Sequence, residues 1–143
     1  LGHRHFAAIE ADATGIDWWD GLPFDHVMVD APCSGSGPLR RHPDIKVLRQ
    51  AGDLPRYANL QQALLQSLWQ VLRPGGTLLY CTCSMFPAEN DDVIASFVGS
   101  QYGTEPVSFE LPTGQQTRFG WQLLPTNADT DGFYFAHIRK AAA

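Results

Sequence analysis

Long apolar runs are missing from this 143-residue chain. No stretch approaches the roughly 18 unbroken apolar residues that a membrane helix needs, and the opening LGHRHFAAIEAD lacks the apolar centre of a secretory signal. The pattern leads to the expectation of a cytoplasmic protein without a membrane partner. Basic residues are also few: 10 Lys and Arg against 15 Asp and Glu give a formal charge of −5, which argues against binding nucleic acid by bulk charge but leaves room for a local basic strip. Only three cysteines occur, at irregular spacing, too few and too uneven for a disulfide framework, so reduced thiols are expected. No paired Cys-x-x-Cys or His-x-x-x-His is present, so no metal site is expected, and no Gly-Lys-Ser/Thr follows SGSG (34–37) to make it a phosphate loop.

What is there fits one globular domain, with 44% hydrophobic residues in a chain too short for two ordinary cores. The segments 6–12 (FAAIEAD), 24–32 (FDHVMVDAP) and 76–84 (GTLLYCTCS) read as buried strands, the third introduced by a Pro-Gly-Gly turn. Between the second and third, Leu60, Leu64, Leu65, Leu68, Val71 and Leu72 recur at spacings of three and four and predict an amphipathic helix. A second helix is expected over 87–100, with proline and acids at its start and Val93, Ile94, Phe97 and Val98 on one side. Weaker strand signals lie at 106–111 and 120–125, and a terminal strand at 131–140. Strands alternating with helices predict an α/β layer with a largely parallel sheet, whose ligands sit at the carboxyl ends of the strands. Asp12, Asp30 and Cys83 each end a strand candidate, which places them on one rim.

Cys81, in the middle of an apolar strand, reads as a small core residue. Cys33 and Cys83 follow strands, beside turn-forming or hydroxyl residues, where a thiol can face a cleft. Two thiols and a carboxylate on one rim suit methylation of a pyrimidine at carbon 5. That carbon is a poor nucleophile until a thiolate adds to carbon 6; a second group must then help remove the carbon-5 proton so that the thiolate can leave. An acid beside the ring would stabilise the charge that develops. Arg40, Arg41, Lys46 and Arg49, with His42 among them, read on charge pattern alone as a solvated face, and EADATG around Asp12 also reads as a simple turn.

DAPCSGSGPLRRHPD (30–44), YCTCSMFPAEN (80–90) and DGFYFAHIRK (131–140) together resemble the RNA cytosine-5 methyltransferases of the Sun (Fmu) family, particularly the bacterial enzymes acting on small-subunit ribosomal RNA. The resemblance implies a Rossmann-like class I S-adenosylmethionine-dependent methyltransferase fold. It makes Cys83 of Thr-Cys-Ser the nucleophile and Cys33 of Pro-Cys the residue that assists product release. It also makes Asp30 a catalytic and cofactor-binding acid, Asp12 and Pro32 further cofactor contacts, and Arg40, Arg41 and His42 contacts to the RNA. Ribosomal RNA is the implied partner and S-adenosylmethionine the implied cofactor.

The family's glycine-rich cofactor loop and first two strands would precede residue 1, so residues 1–143 are expected to form the carboxyl-terminal part of one methyltransferase domain. On that expectation the chain alone binds the cofactor poorly, and its orphaned sheet edge invites self-association. A non-catalytic RNA-binding or scaffold domain of the same fold is the competing reading. A thiol hydrolase is a third, in which His42 or His137 would have to serve Cys83.

Overall fold

A computed structural model describes residues 7–125 and 130–142. The strand β1, Phe24–Asp30, alternates Val27 and Val29, which turn inward, with His26 and Met28, which turn outward. A 3₁₀ turn over Gly37–Arg40 and the four-residue helix α1, Ile45–Leu48, lead to the long helix α2, Asp53–Gln70. Strand β2, Leu72–Thr82, runs parallel to β1, and its register shifts between the Phe24–Leu72 and His26–Thr77 pairs, where Gly75 sits at φ +75°, a conformation that costs glycine little. Helix α3, Asp91–Ser100, follows, and then β3 (Thr104–Val107), β4 (Gln115–Gln116), β5 (Trp121–Leu123) and β6 (Phe133–Lys140).

The α/β expectation is met, with one correction to the sheet. β1 and β2 form the single parallel pair among the described residues, because β6 inserts beside β2 and pairs antiparallel with β2, β3 and β5. The order is β1-β2-β6-β5-β4, with β3 on β6. Helical crossovers give β1, β2 and β3 one direction, while β6 returns without a helix and so must oppose its neighbours.

The strand expected at 6–12 is a second correction: residues 7–12 have no regular structure and are exposed. The described sheet offers that segment no pairing neighbour, and an unpaired strand has no ladder to hold it. The strand expected at 106–111 lies earlier, at Thr104–Val107, and β4 was not anticipated at all.

Helices α2 and α3 cover one sheet face. Leu65, Trp69, Val93, Ile94 and Phe97 pack there against Val29, Leu78, Tyr80, Tyr134, Ala136 and Ile138. Each fully buried aliphatic or aromatic side chain contributes about 1.5–3 kcal/mol relative to exposure. The opposite face carries His26, Met28, Thr77, Leu79, Phe135 and His137, lines an open cavity of about 660 Å³, and among the described residues is roofed by Phe109 and Leu111 alone. Met28 is 63% exposed on that side.

Candidate active site

The carboxyl ends of β1 and β2 deliver two loops to the same rim. The loop after β1 begins with Ala31, whose N–H donates to the Cys81 carbonyl at 2.9 Å, and closes at Gly37, whose N–H donates to the Cys83 carbonyl at 2.9 Å. Gly37 tolerates no side chain: a Cβ there would lie 2.0 Å from the Gly132 carbonyl oxygen and 2.9 Å from that of Cys83. The close approach of the two loops therefore requires glycine.

This stitching brings Cys33 Sγ to 3.3 Å from Cys83 Sγ, although the residues are fifty apart in sequence. Both thiols are free and half-buried. The hydrogen bond from Cys33 lowers the Cys83 thiol to about 7, against the burial that opposes its ionisation. The same bond, followed by burial, pushes Cys33 far above the ordinary thiol range. One sulfur is thus poised as a thiolate and the other held as its proton donor. Cys81 is 4% exposed, as expected of a core residue, and burial, then Asp30, push it to about 12.

Asp30 ends β1, opposite Cys81 in register, and its exposed carboxylate has one long contact, from the Cys81 thiol at 3.7 Å. Pro32 accepts at its carbonyl from Gln61 Nε2 at 2.9 Å. Asp12 lies on exposed chain rather than at a strand end, and its Oδ1 accepts from the Thr14 N–H at 2.9 Å and hydroxyl at 2.7 Å. That is an Asx turn, whose hydrogen bonds lower the Asp12 carboxyl below its usual range.

Arg40, Arg41 and His42 are exposed beyond the first loop. Arg41 is not wholly given to solvent: its guanidinium pairs with the buried Asp131, Nε donating to Oδ2 at 2.9 Å and Oδ1 at 3.1 Å. That pairing lowers the Asp131 carboxyl and raises Arg41. Asp131 was missed as a site residue; its signal was the Asp-Gly-Phe stretch that supported the resemblance.

A second omission is Glu89, expected to favour a helix start but found completely buried, with its carboxylate directed at the two cysteine loops. Among the described residues no group of three or more His, Cys, Asp or Glu is placed to hold a metal ion, and no helix is long and apolar enough to cross a membrane.

A Rossmann-like α/β sheet with paired thiols at the ends of adjacent parallel strands defines a methyltransferase-type fold, and the solved structures agree. A methyltransferase homolog protein from Pyrococcus horikoshii superposes with TM-score 0.74 at 30% identity, covering 91% of this chain and 43% of that one. NSun6 from the same organism, solved with SFG, has the same fold at TM-score 0.80 and 24% identity, over 94% of this chain and 34% of that one. The chain belongs to the family described as 16S rRNA methyltransferase RsmB/F, which matches residues 1–139. Its relatives include the ribosomal RNA small subunit methyltransferase B of Pseudomonas putida, 48% identical over 126 residues, and that of Shewanella oneidensis, 45% identical over 134. The chain aligns over 88% and 93% of its own length but only 29% and 31% of theirs.

Proposed function

We propose that this chain carries the thiol-bearing part of an enzyme that methylates carbon 5 of a cytosine in ribosomal RNA, using S-adenosylmethionine and acting in the cytoplasm. The observation that carries the reading is the 3.3 Å contact between Cys33 and Cys83, with Cys83 lowered to about 7. A thiolate available near neutral pH can add to carbon 6 of the ring, which turns carbon 5 into an enamine carbon able to attack an electrophile. S-adenosylmethionine supplies that electrophile as its methyl group. Once the Cys83 electron pair is in the bond to carbon 6, the sulfur no longer accepts strongly from Cys33. The main cause of the raised Cys33 thiol is then gone, so Cys33 can release its proton to solvent and, as a thiolate, take the proton from carbon 5. Elimination then restores the Cys83 thiolate.

Asp30 suits both remaining tasks. Its exposed carboxylate has acceptor capacity to spare for the ammonium of a methionine moiety or the amine of a cytosine, and Pro32 shapes the same turn. Asp12 retains one oxygen without a described hydrogen bond and would serve the far end of the cofactor. A relative of the same fold is solved with SFG, an analogue of S-adenosylmethionine, which agrees with this choice of cofactor. Arg41, aimed by Asp131 with 60% of its side chain exposed, would meet RNA phosphates together with Arg40 and His42.

We further read residues 1–143 as the carboxyl-terminal part of one methyltransferase domain. The uncovered sheet face and the share of the relatives' length that is matched support this, and the chain alone is then expected to self-associate through that face or the β1 edge. The test is nucleoside analysis of small-subunit ribosomal RNA after incubation with the full-length protein carrying this chain and S-adenosylmethionine. New 5-methylcytidine, lost with Cys83→Ser, is expected; a methylated base other than cytosine, or none, would refute the reading.

A further inference from the structure

Cys33 and Cys83 sit on separate loops, yet their sulfurs meet at 3.3 Å with no covalent tie. We infer that Glu89 is the positioning residue that holds these two thiols together. Its carboxylate takes four donors, none from the helix that begins two residues later. Oε1 accepts the Ser34 N–H at 2.7 Å, and Oε2 accepts the Ser34 and Ser84 hydroxyls, each at 2.5 Å. Gln61 Nε2 donates to Oε1 at 3.4 Å and to the Pro32 carbonyl at 2.9 Å.

Ser34 and Ser84 immediately follow Cys33 and Cys83. One buried side chain therefore fixes both loops within a residue of each sulfur, while Gln61 fixes the residue before Cys33. The Glu89 backbone is itself held, its carbonyl accepting from the Tyr80 hydroxyl at 2.7 Å. A carboxylate at 0% exposure would ordinarily be costly to bury. Four converging donors offset that cost, and they do so only while both loops are in place. Helix initiation is a poor alternative, because no side chain caps the α3 N-terminus and none of the four donors is an α3 backbone amide.

Phenylarsine oxide tests the inference without reference to methyl transfer. It bridges two nearby thiols, forming two As–S bonds and releasing one water, so its affinity reads how well the sulfurs are held together. In the full-length protein, Glu89→Ala is expected to weaken arsenical binding at least tenfold, and Glu89→Gln, which keeps an acceptor for the Ser34 N–H, to restore most of it. Ile138→Ala supplies a loss of core packing four residue pairs along β2 and β6 from the end that carries the thiols, and should leave the affinity unchanged. Equal binding by wild type and Glu89→Ala overturns the inference, as does an equal loss in Ile138→Ala. If Glu89→Ala does not fold, Ser84→Ala decides: it frees the Cys83 loop from Oε2, a several-fold loss is expected, and no loss overturns the proposal. If the arsenical results hold while the RNA stays unmethylated, the function above fails and the clamp stands.

Discussion

Replacing Cys33 by alanine removes the hydrogen bond that contributes most to lowering the Cys83 thiol. Burial, which opposes ionisation, stays. The Cys83 midpoint should therefore climb from about 7 to its ordinary 9.0 or above. At pH 7 the thiolate fraction then falls from about one half to about one hundredth, roughly fiftyfold, and each pH unit of midpoint corresponds to about 1.4 kcal/mol. A more basic thiolate is intrinsically more nucleophilic, with a Brønsted slope of about 0.4–0.5, which returns about six- to tenfold. The net expectation at pH 7 is a loss of about five- to eightfold in the rate of Cys83 alkylation by iodoacetamide, reversed at high pH, where both proteins are ionised. Peptide mass analysis across a pH series gives rate and midpoint for Cys83 alone, because Cys81 is buried and pushed up to about 12. An unchanged Cys83 midpoint in Cys33→Ala would refute the paired-thiol reasoning.

The remaining predictions concern the frame around the thiols. Gly37→Ala drives a methyl into the Gly132 and Cys83 carbonyls, so overpacking of about 1–3 kcal/mol should appear in denaturant unfolding, together with loss of arsenical binding. Asp131 has its carboxyl lowered in the folded protein, so the Arg41 pair contributes fully above the unfolded value near 3.8 and is lost as pH falls through the lower folded value. Arg41→Ala should move the acid-unfolding midpoint to higher pH and leave stability less changed near pH 3 than at neutrality. Leu65→Ala, at a position with 0% exposure, should cost about 2–5 kcal/mol in the same assay.

Helices α2 and α3 were legible because apolar residues at spacings of three and four face a sheet, and that pattern is local. β1, β2 and β6 were legible from short apolar or alternating runs, which are equally local, as was the core position of Cys81. The strand proposed at 6–12 failed because a strand needs a partner, and its apolar run says nothing about whether one is present. Asp12 failed as a strand-end residue with it. The mixed sheet was hidden because nothing in the β6 sequence states that it slots between β2 and β3. The thiol pair was legible as two loop cysteines, but its contact depends on Gly37 and on carbonyls fifty residues away. Glu89 looked like one more acid at a helix start. Its burial and its four donors exist only once the two loops have met, and Asp131 owes its place to Arg41 in the same way.

The central claim is that Cys83 makes the bond to the pyrimidine. The direct measurement incubates the full-length protein carrying this chain with S-adenosylmethionine and ribosomal RNA containing 5-fluorocytosine, then runs denaturing gels for wild type, Cys83→Ser and Cys33→Ser. Fluorine at carbon 5 cannot leave as a proton, so the adduct is trapped. The account predicts a covalent complex with wild type and with Cys33→Ser and none with Cys83→Ser. A complex that survives Cys83→Ser and disappears with Cys33→Ser would contradict it.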